Sequence, residues 1–461
     1  MNRAAGCLLC SIFTMTAATA LAQPCTPSWD GAPGTVGINS GYVGALRAWN
    51  DGTGERLYAG GSFARMGGLS GTGYVARWNP TTGTWAAMGS GISAGSTNAF
   101  VTSILPYAVG SPSGLVVAGF FDRAGGVNGT RSIAVWTGSA WQAFPVNPVA
   151  TSPASIWAMS TWPNDPTNQN RLYVGGAGLA DIAGTPSNGI QAWNGAAWAP
   201  VATVNGPFSP TVFSLAVFDD GSGPKLYAGG RFNSIGGLSA QVIARWDGTT
   251  WSKVGAGLVA TDVNFAQISA MTVFNDGTGP ALYVAGGYFR CPGGGQTQTS
   301  VAKWNGSTWT RVGQNVGGYI YGLTGFNDGT GNALYLGGTA VPTVGYVARL
   351  ESGSWTVVDG GLTGSVGGNF PSCFSLLAWD KRLVVGGDFT AAGSTAARGI
   401  VFRKACPCPG DYNHDGVVDD FDFFDFLNDF FANSMAADVN GDTSVDDFDY
   451  FDFLNALNTP C

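Results

Sequence analysis

Histidine is nearly missing from this 461-residue chain: the only one is His414, close to the C-terminus. The long body therefore holds no Ser-His-Asp triad, no Cys-His pair and no metal site built on imidazole. Glutamate is almost as scarce, with Glu55 and Glu351 alone, and charged residues make up 11% of the chain. Helical domains use Glu and Lys freely on their surfaces, so this shortage argues for a β body. Lysine and arginine stop at Lys404: residues 406–461 carry 13 Asp and no Lys or Arg, while the first 405 residues carry 21 Lys and Arg against 16 acids. The net charge of −8 thus belongs to the tail, which would repel nucleic acid, and the body has no basic run to track phosphates. Beyond the N-terminus no stretch is long and apolar enough to span a bilayer, so no transmembrane segment is expected.

What is there begins with an address. "MNRAAGCLLCSIFTMTAATALAQPC" has a positive start at Arg3, an apolar run from Cys7 to Ala18 and a small-x-small signal at Ala20-Leu21-Ala22. Residues 1–22 read as a secretory signal peptide, with Gln23 the first mature residue and a secreted or extracellular-surface location. Six cysteines remain: Cys25, Cys291, Cys373, Cys406, Cys408 and Cys461. An even count in a secreted chain favours disulfides.

Glycine, at 72 residues, marks repeats. A phrase of the form "LYAGGSF" recurs at Leu57, Leu115, Leu172, Leu226, Leu282, Leu334 and Leu383, at spacings of 58, 57, 54, 56, 52 and 49 residues. That period is close to kelch-type spacing. Each unit reads as four strands: an apolar one such as "VFSLAVF" (212–218), a turn such as "NDGTG", the "LYAGG" strand, a Gly-rich loop, a strand ending in Trp, a tight hairpin and a strand opening on Trp. Asn-Gly and Asp-Gly supply the positive φ that tight hairpins need. Four strands in each of seven units predict a mainly β chain, a seven-bladed β-propeller over residues 23–404.

Two features of the repeats have a functional and a structural interpretation. The pairs Trp78/Trp85, Trp136/Trp141, Trp193/Trp198, Trp246/Trp251 and Trp304/Trp309, with Leu350/Trp355, could be platforms for sugar rings. A residue required in nearly every unit is better explained by packing of blade on blade. The "NDGTG" segments could hold calcium, but one Asp cannot assemble six or more oxygens, so they read as turns. The seventh unit lacks its Trp-led fourth strand, whereas "SWDGAPGTVGINSG" (28–41) mimics the third-to-fourth strand junction. The N-terminal strand is expected to complete the seventh blade, placing Cys25 near Cys406.

On these motifs residues 28–404 resemble kelch-like propellers of the galactose oxidase central-domain class and, more loosely, the repeats of fungal cortical polarity-marker proteins. The resemblance implies the fold. The copper chemistry of galactose oxidase does not carry over, because it needs histidines.

The tail, 405–461, is built from two copies of another pattern. "DYNHDGVVDDFD" (411–422) matches the twelve-residue calcium loop, with Asp411, Asn413 and Asp415 at positions 1, 3 and 5, Gly416 at the sharp turn, the Val417 carbonyl at 7, Asp419 at 9 and Asp422 closing at 12. The second copy places Asp438, Asn440, Asp442, the Ser444 carbonyl, Asp446 and Asp449 at the same positions, with Thr443 where Gly belongs. Phenylalanines at helical spacing after each loop predict helices 421–431 and 448–457. Two calcium loops, each followed by one helix, resemble a dockerin over 411–457, of the Cys-flanked kind found on bacterial secreted proteins. The resemblance implies two calcium ions, a Cys408–Cys461 bond beside Cys25–Cys406, and a cohesin-like or sorting and anchoring partner. Positions 10 and 11 read Asp420-Phe421 and Asp447-Phe448, a departure from the Ser-Thr type pairs of familiar dockerins.

The function expected is a secreted, non-catalytic propeller that binds a glycan or protein ligand and is anchored through its tail. A carbohydrate-active enzyme of polysaccharide breakdown and a structural adhesion protein are the alternatives. Sialidase-type boxes are absent. A two-carboxylate mechanism needs acids roughly 5–10 Å apart. Asp122 and Asp181, after the second strands of units two and three, are the candidates, and both read more simply as loop acids.

Overall fold

The computed structural model describes residues 27–31, 37–93, 95, 99–145, 147, 154–163, 165–166, 169–180, 186–293, 297–405, 410, 412, 420–439 and 444–457. The signal peptide and Cys25, Cys406, Cys408 and Cys461 lie outside them.

Repeats one to six each fold as four antiparallel strands in sequence order, and repeat seven supplies three. In repeat one the four are Val43–Asn50, Glu55–Gly61, Val75–Asn79 and Thr84–Ala86. Six sheets have four or more strands, and the largest, of eight, contains repeats six and seven joined at the single pair Thr339↔Ser372. The first strands touch one another in a closed cycle, with Val43–Asn50 lying against Phe100–Tyr107 of repeat two and Ser372–Trp379 of repeat seven. This is the arrangement of a β-propeller.

The core is divided among the seams. Each apolar cluster of the body draws its side chains from two adjacent repeats; one joins Tyr58 and Val75 of repeat one to Leu115 and Trp136 of repeat two. The tryptophan pairs belong here. The two indoles of a pair sit opposite one another at 5.3–5.5 Å. In three repeats the fourth-strand indole also bonds across the seam: Trp141 Nε1 donates to Met88 O (2.7 Å), Trp309 to Val254 O (2.8 Å) and Trp355 to Val312 O (3.3 Å), each in the preceding repeat. Packing of blade on blade is therefore what these residues do.

The N-terminal strand Ser28–Asp30 pairs with Ile400–Lys404, in the register Ser28↔Lys404, Trp29↔Arg403 and Asp30↔Phe402. Trp29 takes the place of the fourth-strand tryptophan, its indole donating across the seam to Asp359 O at 3.1 Å. Beside it the buried Arg403 pairs with Asp328 of repeat six (2.8 Å) and with Asp359 (2.6 Å). From the far side Trp379 Nε1 donates to Glu55 Oε1 of repeat one at 2.7 Å. Both chain ends thus meet in repeat seven.

The Gly-Gly of the repeat phrase has a steric cause, shown by repeat one. A Cβ on Gly60 would stand 2.4 Å from Val101 of repeat two, and one on Gly61 would stand 2.1 Å from the Tyr42 carbonyl of its own first strand. The first glycine admits the neighbouring blade and the second admits the adjacent strand.

In the tail, helices α1 (Asp420–Phe431) and α2 (Asp447–Leu457) pack through Phe426 and Phe453, stacked at 4.3 Å, with Tyr412 edge-on to both.

Candidate functional site

The first strands bound a central channel of about 240 Å³, and its lining is three consecutive residues from each of seven strands. The local cause is a repeated irregularity. Every first strand shifts register by one residue after its first or second residue: Val43/Ala45, Val101/Ser103, Ile156/Ala158, Val212/Ser214, Ile268/Ala270, Ile320/Gly322 and Cys373/Ser375. A bulge of this kind leaves one residue out of the ladder and re-aims its side chain. The residues left out are Gly44, Thr102, Trp157, Phe213, Ser269, Tyr321 and Phe374, and all seven line the channel. The next tier is small (Ala45, Ser103, Ala158, Ser214, Ala270, Gly322, Ser375) and the third is apolar, from Leu46 round to Leu376.

The bulged tier divides into two kinds of residue. Thr102 Oγ1 donates to Ile156 O of the next repeat, and Ser269 Oγ to Ile320 O at 2.9 Å, so the hydroxyls stitch neighbouring blades. The aromatics stay half-buried and meet one another: Phe100–Trp157 and Trp157–Phe213 at 5.5 Å, Tyr321–Phe374 at 5.6 Å and Phe374–Tyr42 at 4.8 Å. Burial, with the charge of Tyr321 beside it, raises the Tyr42 phenol; Tyr321 itself is raised by burial. Both keep their protons at neutral pH. No Asp, Glu, Lys or Arg is among the channel's lining residues. Such a surface can hold a flat or ring-shaped group by stacking and hydroxyl contacts.

The "NDGTG" segments are turns. Asn50 Oδ1 accepts from Gly52 N (2.9 Å) and Gly54 N (3.2 Å), while Asp51 accepts from Thr53 N. The Asp then turns inward and is paired internally: Asp51 with Tyr58 and Arg77, Asp220 with Tyr227 and Arg245, Asp276 with Tyr283 and Lys303. In Asp328, burial pushes the carboxyl up, but hydrogen bonds from Thr330, Arg403 and Tyr335 and the charge of Arg349 outweigh it and leave it at about 2. Asp122 pairs with Arg131 (3.2 Å) and Arg123 (3.8 Å) on the surface, as a loop acid does; Asp181 lies outside the described residues.

Of the twelve tail ligands, Asp422, Asp438, Ser444, Asp446 and Asp449 are described; Asp411, Asn413, Asp415, Val417, Asp419, Asn440 and Asp442 are not. The two closing residues, Asp422 and Asp449, are both 0% exposed. Asp449 accepts from Val439 N (2.9 Å) and Asp446 N (3.0 Å). Burial of the two closing carboxylates, in a tail whose sole basic side chain is His414, is compatible with a bound hard cation. Phe421 and Phe448, at position 11 of each loop, are 68% and 70% exposed. Of the cysteines, Cys291 and Cys373 are free and buried, so the pairing expected from an even count does not extend to them. Cys373 holds the place of Val101 or Ile268 before the bulge, and burial pushes its thiol up to about 12.

Sequence reasoning missed the bulged ring. The signal was present as a β-branched residue, a variable residue and a small residue at the start of six first strands, with Cys373 in the β-branched place in the seventh.

The strand pairing defines the class as a β-propeller. The sequence matches no family model and no curated protein. Among solved structures, the chain is similar to the WD40 β-propeller domain of Doa1, at 10% identity and a TM-score of 0.44 over 82% of this chain and 96% of that one. It is also similar to the Niastella koreensis GH74 enzyme (13%, TM-score 0.39, 80% of this chain and 61% of that one) and to BBS1N in complex with ARL6DN (12%, TM-score 0.39, 86% and 100%).

Proposed function

We propose that this chain is a secreted, non-catalytic binding propeller of seven kelch-like blades, held to a surface or extracellular assembly by a calcium-stabilised dockerin-like tail. The eight-stranded sheet counts as two blades, because one residue pair joins its halves and Trp29 gives repeat seven its own fourth strand. The observation that carries the binding role is the ring of bulged residues around the channel: stacking faces and hydroxyls, without a charged group for proton transfer. The tail reading rests on the two calcium-loop motifs and on the burial of their closing residues, Asp422 and Asp449. Two calcium ions would be held by Asp411, Asn413, Asp415, Val417, Asp419 and Asp422, and by Asp438, Asn440, Asp442, Ser444, Asp446 and Asp449. The duplicated exposed pairs Phe421/Phe424 and Phe448/Phe451 suit an apolar partner surface of the cohesin or sorting type. The full-length chain, with calcium, is to be tested on glycan and protein arrays and for release of reducing sugar. Binding without release supports the proposal; turnover, or no binding on either array, overturns it.

A further inference from the structure

The binding role proposed above leaves the ligand open, and the mouth of the channel narrows it. Arg231 ends the second strand of repeat four, opposite Thr211, two residues before the bulged Phe213. Its guanidinium lies 5.7 Å from the centre of the Phe213 ring. Its charge reaches the phenols of Tyr319 and Tyr321. Arg231 Nη2 donates to the Ser209 carbonyl at 3.3 Å, while Nε is enclosed with no partner. Among the described residues no carboxylate lies within ion-pair distance of it. The matching position in repeat seven is Asp388, and that carboxylate is already engaged by Ser365 Oγ (2.8 Å) and Gly367 N (3.1 Å).

A half-buried cation beside open aromatic faces is a poor packing device, since its desolvation is not repaid by an internal anion. It is a good ligand device: the ring faces take the apolar side of a pyranose while the guanidinium takes a carboxylate by paired hydrogen bonds. The channel is small, with room for the end of a chain and not its length. We infer that the channel mouth binds the terminal residue of an acidic glycan, a hexuronate stacked on Trp157 and Phe213 with its carboxylate on Arg231. The chain as a whole carries −8, so attraction of a polyanion must be local to this site.

The inference rests on the binding role and is tested apart from it. Full-length protein is titrated calorimetrically with a galacturonate hexamer and with cellohexaose. The acidic oligomer is expected to bind about tenfold tighter or more. Arg231→Gln should abolish that preference and leave the neutral affinity within about twofold, while Trp157→Ala should weaken both by about tenfold. Phe213→Leu, which keeps most of the volume, should give the same loss with unchanged melting if Trp157→Ala folds poorly. Equal affinity for the two oligomers, a preference that survives Arg231→Gln, or acidic binding unaffected by Trp157→Ala and Phe213→Leu overturns the inference. So does a wild-type chain that ignores both oligomers yet binds a protein on the arrays, a result that leaves the binding role itself standing.

Discussion

The body and the tail both bury aspartates, the body at its turns and the tail in the first turn of each helix, and the side chains around them differ. In the body each inward Asp is supplied with a cation and a phenol by its own repeat, as Asp220 is by Arg245 and Tyr227. In the tail Asp422 and Asp449 are as deeply buried, and residues 405–461 hold neither Lys nor Arg. The body meets its buried charge from within each repeat, and for the tail the proposed partner is a calcium ion. The two parts also use aromatics differently: the body sets its paired tryptophans in the seams, and the tail leaves Phe421 and Phe448 in solvent.

The sharpest way to break the body is at its seam. Deleting residues 23–41 removes Trp29 and bares the edge of Ile400–Lys404. An open edge strand invites pairing with other chains, so the deletion should give aggregated protein by light scattering. The tail should be untouched by this and sensitive to something else. Chelating calcium in the full-length chain should abolish a separate calorimetric transition of the tail and leave that of the body in place. A site filled at 100 times its Kd contributes about 2.7 kcal/mol, which sets the scale of the shift. A single transition that ignores the chelator would refute the proposed ion.

Within the body, the internal pairing makes a graded set of tests. Arg403→Met removes the cation from Asp328, a side chain buried in the seam, and should cost roughly 3–5 kcal/mol by denaturant unfolding. Acid probes the same pairs more gently. Asp220 and Asp328 both sit at about 2 when folded, because hydrogen bonds and neighbouring bases outweigh burial. A carboxyl depressed in the folded state contributes stability above its unfolded pKa, near 3.8, and loses it as the pH falls through the folded value. Each should contribute about 2 kcal/mol that disappears between pH 4 and pH 2. A body whose melting temperature is flat across that window would contradict the pairing.

The seam and the stacking of blades were legible because they repeat. The N-terminal strand was visible because the seventh unit lacks a fourth strand; the likeness of "SWDG" to "RWDG" set Trp29 against the third-strand Trp246, and it is the pairing Trp29↔Arg403 that puts it at the fourth-strand place. The channel was not legible, and the reason is physical. Packing fixes residue type where a side chain touches a neighbour, as Val101 touches Gly60. The bulged side chain faces open space, so Gly44, Trp157 and Ser269 can occupy one structural position with nothing in common. A bulge also breaks the alternation that marks strand faces. Arg231 was hidden for the same reason: at its position the other repeats carry residues as different as Phe120 and Asp388. The calcium loops were proposed on a different ground, because a small hard cation prescribes oxygen at fixed steps along the chain, and seven of their twelve ligands lie outside the described residues.

The smallest effect separates the two tail loops from each other. They offer the same ligand count, and they differ at position 6, Gly416 in the first and Thr443 in the second. That position takes a sharp turn with positive φ, where glycine is free and a β-branched residue is strained by on the order of 1 kcal/mol. Calcium should therefore bind the full-length chain in two steps, the first loop filling before the second. Thr443→Gly relieves the strain and should tighten the weaker step by about fivefold, with the stronger step unchanged. Asp411→Ala should remove the stronger step. Should Thr443→Gly leave both steps as they were, backbone strain at position 6 is not what ranks the loops, and the difference must come from the residues around Asp422 and Asp449.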